Sequence, residues 1–297
     1  MSTDVISPTI DRDAWLAERR NGLGASEAAA ALGIDAYRSP LELWALKTGR
    51  IAPSEPSEAM RLGLLLEPVL AGLYEGRGSQ RIERQQEFRR HPDLPLFATL
   101  DAVNSDGVIV EFKTISERRA SKELGADGSD EVPESWVVQA HQQMLVAGPE
   151  HDQVDFAVLV GGQHYREFSV CRSARLLDVM VPKLLGFWEC VRSETPPPFM
   201  NADPAVLAAI YAPTGEEIEG DDDLRALVDH YEKLGHDLKA SGEARDHLKA
   251  ELLARLQGRN AILPDGRRIR QSTVTTRAYT VAEKTYSQMR ILKARGA

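Results

Sequence analysis

Two short strings in the middle of the chain, Thr99-Leu100-Asp101 and Glu111-Phe112-Lys113, carry residue types that can work on a phosphodiester. Between them stands Ser105-Asp106-Gly107, which reads as a three-residue hairpin loop with glycine at the left-handed position. That loop makes Asn104 face Val108 and sets Asp101 opposite Glu111. Directly opposed Cβ atoms lie about 4.5–5.5 Å apart, so two carboxylates there repel unless a cation offsets them. Lys113, two residues after Glu111, projects on the same face. The result is Asp, Glu and Lys converging at one sheet edge. Hard oxygen ligands suit Mg²⁺, which binds one or two carboxylates and completes its shell with water and substrate phosphate. The metal would orient and acidify a water and neutralise charge on the phosphate. The lysine would position that water and stabilise the transition state.

These residues need elements to hold them. Apolar positions 62, 65, 66, 69, 70 and 73 recur at helical spacing, predicting an amphipathic helix to about Gly76 with Glu67 at the rim of its stripe. Such a helix, packed on the sheet, brings Glu67 to the edge where Asp101 and Glu111 sit. Period-two patterning predicts strands at Ile82–Phe88, Phe97–Val103 and Val108–Thr114. A helix over Pro133–Gly148 follows, carrying Gln139 one turn after Trp136. Next come a hairpin of Val154–Val160 and His164–Val170 around Gly161-Gly162, and a helix over Ser173–Glu194. Upstream, Asp11–Arg20 reads as a short helix ended by Asn21–Gly24. Ser26 is placed to cap an Ala-rich helix that stops at Gly33, and Ser39-Pro40 opens another that closes at Gly49. The order implies an α/β (α+β) fold with a mixed central sheet flanked by helices. Pro196-Pro197-Pro198 marks the end of that pattern, so the expected division is a core at 1–213 and a helical and β C-terminal extension at 214–297. In the extension, leucines over 221–257 suggest one long helix or a hairpin broken near Gly242, followed by a β-like stretch at 267–281.

Composition narrows the classes. The chain has 297 residues, of which 42% are hydrophobic and 27% charged, enough for a real core. It shows no membrane-length apolar run and no secretory leader pattern, so a cytoplasmic protein is expected. Two cysteines, Cys171 and Cys190, are too few for a disulfide framework, a four-cysteine zinc site or an iron–sulfur cluster. A net charge of −9 argues against a nucleic-acid coat protein but not against a nuclease, whose acidic metal site and basic tracks average out. The charge is patchy: residues 77–90 hold five Arg against two Glu, and 216–223 hold six acids.

The ordered set is similar to the YqaJ-like viral recombinases, relatives of the phage lambda exonuclease within the PD-(D/E)xK nuclease superfamily. The resemblance spans roughly residues 12–195 and rests on Trp15 and Arg19, Gly24-Ala25-Ser26-Glu27, Ser39-Pro40, Leu43-Trp44, Lys47-Thr48-Gly49, Gly63 with Glu67-Pro68, Leu100-Asp101, Glu111-Phe112-Lys113-Thr114 and Gln139 through Met144. It implies a restriction-endonuclease-like core in which Asp101, Glu111 and the Phe112 carbonyl bind Mg²⁺, Mn²⁺ being able to substitute. Glu67 would support a second metal or its water, Lys113 would activate or orient the nucleophile, and Gln139 would hold the site together. Arg19 and Ser26 match positions that receive a terminal 5′-phosphate. The implied activity is 5′-to-3′ digestion of linear duplex DNA with 5′-phosphorylated ends, encoded by a phage or prophage in a bacterial host. A single-strand annealing protein and a ring-like trimer or other homo-oligomer are the implied partners. Two residues depart from the family pattern: Ala102 stands where glycine is usual, and His141 where glutamine is common.

Plainer readings stand beside these. A lone Glu-x-Lys is usually surface strand, Ser26 is explained as a cap, and Gln143 as a helix-surface residue. His141 lacks a metal-ligand partner at suitable spacing and reads as a satisfied or exposed histidine, and both cysteines as buried small hydrophobes. The leucines of 221–257 read as intramolecular packing. The rival functions are a structure-specific or single-strand endonuclease on the same fold, and a non-catalytic DNA-binding accessory protein.

Overall fold

The computed structural model describes residues 5–6, 21–78, 80–198, 206–207, 210, 221–256, 261–262 and 268–269. They fall into two compact units, Met1–Ala212 and Pro213–Ala297.

The first unit is built on a mixed sheet whose main path runs β1-β3-β4-β5-β6-β7, with β2 beside β4. These strands are β1 (Val5–Ile6), β2 (Leu23–Gly24), β3 (Ile82–Arg90), β4 (Leu96–Asn104), β5 (Ile109–Ile115), β6 (Gln153–Val160) and β7 (His164–Cys171). The turn that joins β4 to β5 has the expected geometry. Gly107 takes φ +81°, and the Asn104 side chain accepts from the N–H groups of Asp106 and Val108. The register Ala102↔Val110 and Val103↔Ile109 follows. Strands β5 and β6 pair in parallel through a helical crossover, and β6 and β7 form the glycine hairpin.

Seven helices are described in the two units: α1 (Ala28–Ala31), α2 (Pro40–Lys47), α3 (Glu58–Arg77), α4 (Glu117–Glu123), α5 (Glu134–Ala147), α6 (Ala174–Arg192) and α7 (Asp222–Leu256). Ser39 caps α2 by accepting from the Glu42 N–H, and Gly49 beyond its end takes φ +71°. Ser26 does not cap α1. It lies inside a three-residue 3₁₀ turn, Ala25–Glu27, whose preceding residue is Gly24. The predicted helix over 11–20, with Arg19, lies outside the described residues.

Helices α1, α2, α5 and α6 share one core with inward residues of the sheet, including Trp44, Leu100, Met144, Phe156, Phe168 and Met180. A smaller cluster, Tyr74 on α3 with Ala102, Val110 and Ala157, also draws in Phe112. Helix α3 departs from expectation. Leu70, Ala71 and Tyr74 are buried, but Leu62, Leu65, Val69 and Leu73 of the predicted stripe are exposed, as are Met60 and Leu64. Helical periodicity reports an apolar face, not what packs on it.

In the second unit, α7 runs unbroken through Gly235 and Gly242, and β8 (Ala261–Ile262) pairs antiparallel with β9 (Arg268–Ile269). Tyr231, Leu234 and Leu238 are exposed rather than packed. The remainder of the predicted β-like stretch lies outside the described residues. Among the described residues no helix is long and apolar enough to cross a membrane.

Candidate active site

The site starts from a fault in β4. Leu96, Ala98 and Leu100 face the main core with the alternation of a strand, but the next core residue is Val103, while Ala102 belongs to the smaller cluster. A strand's side chains alternate with period two, so the phase slips between Leu100 and Val103, where Asp101 lies. Both neighbouring strands change their pairing there. The β3–β4 register includes Gln85↔Ala102 and Glu87↔Leu100 but skips the Gln86/Asp101 pair between them. On the other side, Asp101 Oδ2 accepts the N–H of Phe112 at 2.9 Å. Asp101 is thereby released from the ladder and tied to β5 through its side chain.

Two groups of residues then assemble. Toward α5, Lys113 Nζ donates to Glu111 Oε1 at 2.7 Å and to Gln139 Oε1 at 3.0 Å, and Gln139 Nε2 donates to Glu111 Oε1 at 2.6 Å. Gln143, one turn further along α5, donates to Glu111 Oε2 at 2.5 Å. The Lys113 ammonium also stands 5.8 Å from the ring centre of Trp136, which stacks on Phe156. Toward α3, Glu67, Asp101 and Phe112 line a cleft of about 110 Å³ with Leu64, Pro68, Gln85 and Gln86. Gln86 Nε2 donates to Glu67 Oε2 at 3.1 Å.

Electrostatics couples the two sides. Burial, then the Glu111 charge, hold the Asp101 carboxyl well above the usual carboxylate range, with Lys113 and the Phe112 N–H opposing. Glu67 is raised too, by burial first and by Glu111, against the Gln86 hydrogen bond and Lys113. Three carboxylates thus crowd around one ammonium. Among the described residues no three Asp, Glu, His or Cys side chains form a ready-made metal cage. The donors present (hard carboxylate oxygens and a strand carbonyl beside an open cleft) fit a Mg²⁺ ion that keeps water and phosphate in its shell.

Residues 14–150 match the model of the YqaJ-like viral recombinase domain. That stretch is similar to a YqaJ-like domain. It is 36% identical over 182 residues to the uncharacterized protein YqaJ of Bacillus subtilis (strain 168), a match that covers 60% of this chain and 56% of that protein. The fold is similar to the crystal structure of an alkaline exonuclease, LHK-Exo, from Laribacter hongkongensis, with a TM-score of 0.50 at 17% identity over 62% of this chain and 94% of that one. A phage-related exonuclease from Haemophilus somnus 129PT aligns with a TM-score of 0.43 at 12% identity, over 58% and 96% of the two chains. The mixed sheet flanked by helices is therefore a fold shared with the LHK-Exo alkaline exonuclease.

Within the matched residues, the structure brings Glu111, Lys113 and Gln139 into direct contact and puts Glu67, Asp101 and Phe112 around one cleft. Ser26 is exposed on its 3₁₀ turn. The free N–H cradle expected of a helix start is reduced there, because Gly24 N–H is already donated to Glu27 Oε2 at 2.8 Å, and Glu27 is paired with buried Lys47 at 2.6 Å. Residues 7–20, Arg19 among them, are outside the description.

Sequence reasoning missed Gln143, a fully buried partner of Glu111 rather than a surface residue. It also missed Gln86. The glutamine pair one turn apart was a usable signal for the first; nothing in β3 announced the second. His141 is the satisfied kind: its Nδ1 bonds the Val137 carbonyl at 2.8 Å, so Nε2 is left to accept the Ser173 N–H at the start of α6. Burial lowers its pKa. Cys171 is exposed rather than buried, and Cys190 is half-buried.

Proposed function

We propose that this chain is a Mg²⁺-dependent deoxyribonuclease, an exonuclease that digests linear duplex DNA from 5′ ends, with Mn²⁺ able to substitute. The observation that carries the reading is the Glu111–Lys113–Gln139 network beside the cleft of Glu67, Asp101 and Phe112, within a YqaJ-like domain. Asp101, Glu111, the Phe112 carbonyl and Glu67 would hold the metal. When bound, that metal supplies the Lewis acidity that neutralises the phosphate oxygens and acidifies a water. Lys113, held by Glu111 and Gln139, offers a fixed ammonium that orients the attacking water and stabilises charge as it develops. Gln139 bridges the two, accepting from Lys113 and donating to Glu111, so neither swings away. Gln143 occupies the far oxygen of Glu111 and fixes the plane of its carboxylate.

Digestion of linear against covalently closed duplex in Mg²⁺ tests this reading. Loss of the linear form alone is expected; cutting of both points to the endonuclease, and cutting of neither to the accessory protein. End recognition is a finer part of the same proposal, with Arg19 and the exposed Ser26 hydroxyl receiving a terminal 5′-phosphate. A charge-assisted contact of that kind is worth about 1.5–3 kcal/mol, so 5′-phosphorylated duplex should be digested roughly ten- to a hundred-fold faster than 5′-hydroxyl duplex. Equal rates would remove the pocket and leave the metal site standing. The single-stranded product suits an annealing protein as its next binder, and a ring-like homo-oligomer would keep the enzyme on its track.

A further inference from the structure

Gln86 lies mid-strand, yet its φ is +50°, a left-handed conformation that costs energy for any side chain with a Cβ. The other non-glycine residue with positive φ among the described residues, Glu194, follows the end of α6, where left-handed residues terminate helices as a matter of course. Gln86 ends nothing. The pairing with β4 keeps the same register before it, at Gln85↔Ala102, and after it, at Glu87↔Leu100, so no extra residue has been inserted to require the twist. The residue it would have faced is Asp101.

Strain of this kind persists where the surroundings over-determine it, and it concentrates at working sites. Here the surroundings are known: Gln86 Nε2 donates to Glu67 Oε2 at 3.1 Å, and the two residues share the cleft with Asp101 and Phe112. Gln86 is exposed, so core packing does not explain it. The chemistry of an amide suits this position. It holds a carboxylate without cancelling its charge, which a lysine or arginine would do, and without adding a fourth negative group to Glu67, Asp101 and Glu111.

We propose that Gln86 is a positioning residue for the nuclease centre: its left-handed backbone brings an amide to Glu67 and holds that carboxylate beside Asp101, joining the donor from α3 to the donor from β4. This rests on the metal-dependent nuclease reading above. A residue tolerated only for strand twist would be replaced by glycine with gain and no loss, because glycine takes positive φ freely. A positioning residue would gain stability and lose function together.

The experiment compares full-length wild type with Gln86→Gly and Gln86→Leu in three measurements: melting temperature without metal, Mn²⁺ binding by calorimetry, and cleavage of linear duplex. For Gln86→Gly the melting temperature should rise by about 2–4 °C. Mn²⁺ affinity should fall roughly ten-fold or more in both variants, as it does when the partner of a metal ligand is removed. The kcat should fall with it while the KM for duplex stays put, and excess Mn²⁺ should restore part of the rate. A Gln86→Gly protein that binds Mn²⁺ and cuts as the wild type does overturns the proposal. So does one that melts lower than the wild type, since the residue would then be serving the fold. A wild type that neither binds Mn²⁺ nor cuts DNA overturns the nuclease reading itself, and is told apart because no variant is needed to see it.

Discussion

Helices α5 and α3 both deliver polar residues to the same site, Gln139 and Gln143 from the first and Glu67 from the second, and they do it by opposite means. On α5, the amide nitrogens of Gln139, Gln142 and Gln143 are all engaged, Gln142 and Gln143 from fully buried positions and Gln139 from a half-buried one. Gln139 and Gln143 hold Glu111, and Gln142 bonds the carbonyls of Leu23 and Phe97, tying β2 to β4. His141 links α5 to the start of α6. On α3, Glu67 is held through one hydrogen bond from an exposed glutamine, and Leu64 and Leu65 around it are 62% and 73% exposed. A buried hydrogen bond is costly to break because the orphaned partner stays dry; an exposed one is replaced by water. The α5 side of the site is therefore part of the fold, and the α3 side is an attachment to it.

The largest effects should come from the chemistry the two helices serve. Lys113→Met should lower the cleavage rate about 10²–10³-fold, the usual cost of one transition-state donor in a preorganised site. Glu111→Gln should do at least as much and also weaken Mn²⁺ binding, whereas Lys113→Met should spare it by removing a nearby cation. Alanine is the poorer choice at Glu111. It would take the acceptor from two glutamine amides and leave Lys113 only the Gln139 oxygen, and the loss of fold would mask the loss of chemistry. A Lys113→Met enzyme with a near-native rate would end the active-site assignment.

Next in size is a stability effect confined to α5. Gln143→Leu keeps the volume but strands Glu111 Oε2 in a dry setting, so the protein should lose about 1–3 kcal/mol, read in urea unfolding with m unchanged. No comparable loss is expected from Gln86→Leu on the α3 side. Equal losses at the two positions would erase the contrast between the helices.

What the sequence revealed and what it hid divide along the same line. The Ser105–Gly107 loop, the Ser39 cap and the hairpin at Gly161-Gly162 are local chemistry, and their elements lie where residue type put them. The Asp101 and Glu111 strands were legible for that reason. The short helix α4 was not, being mostly charged with no apolar period. Gln143 was hidden because its burial depends on Glu111, thirty-two positions away in the chain. The phase slip at Asp101 and the left-handed Gln86 were hidden because both arise where β3, β4 and β5 meet, and no single strand's pattern contains them. The apolar face of α3 was legible as a face and misread as buried.

A smaller effect separates the helices by pH. Burial lowers the pKa of His141 below the ordinary histidine value, and that of His151 likewise. As pH falls below about 6.5, the unfolded chain takes up protons that the folded chain refuses, so stability falls through the interval down to the folded values and then levels off. Each such histidine contributes at most about 1.4 kcal/mol per pH unit. His141→Gln should reduce the slope of melting temperature against pH between 6.5 and 5, with His151 left to supply the remainder. An unchanged slope would mean that His141 titrates normally and that its link to α6 is weaker than the geometry indicates.

The smallest expected effect is the most informative about α3. Leu65 is 73% exposed, so little of its apolar surface leaves water on folding, and Leu65→Ser should change stability by no more than about 0.5 kcal/mol. Serine is a poorer helix former than leucine by a few tenths of a kcal/mol, which sets the sign as slightly destabilising. Leu70, 1% exposed on the same helix, is the internal control: Leu70→Ala should cost about 2–5 kcal/mol. Both are read from urea midpoints on the isolated full-length chain. Should Leu65→Ser approach the cost of Leu70→Ala, the outer face of α3 is covered in solution, and Glu67 is held by more than the Gln86 amide. Should it stay near zero, α3 is anchored through Leu70, Ala71 and Tyr74, and the half that carries Glu67 depends on the hydrogen bond to β3 for its place.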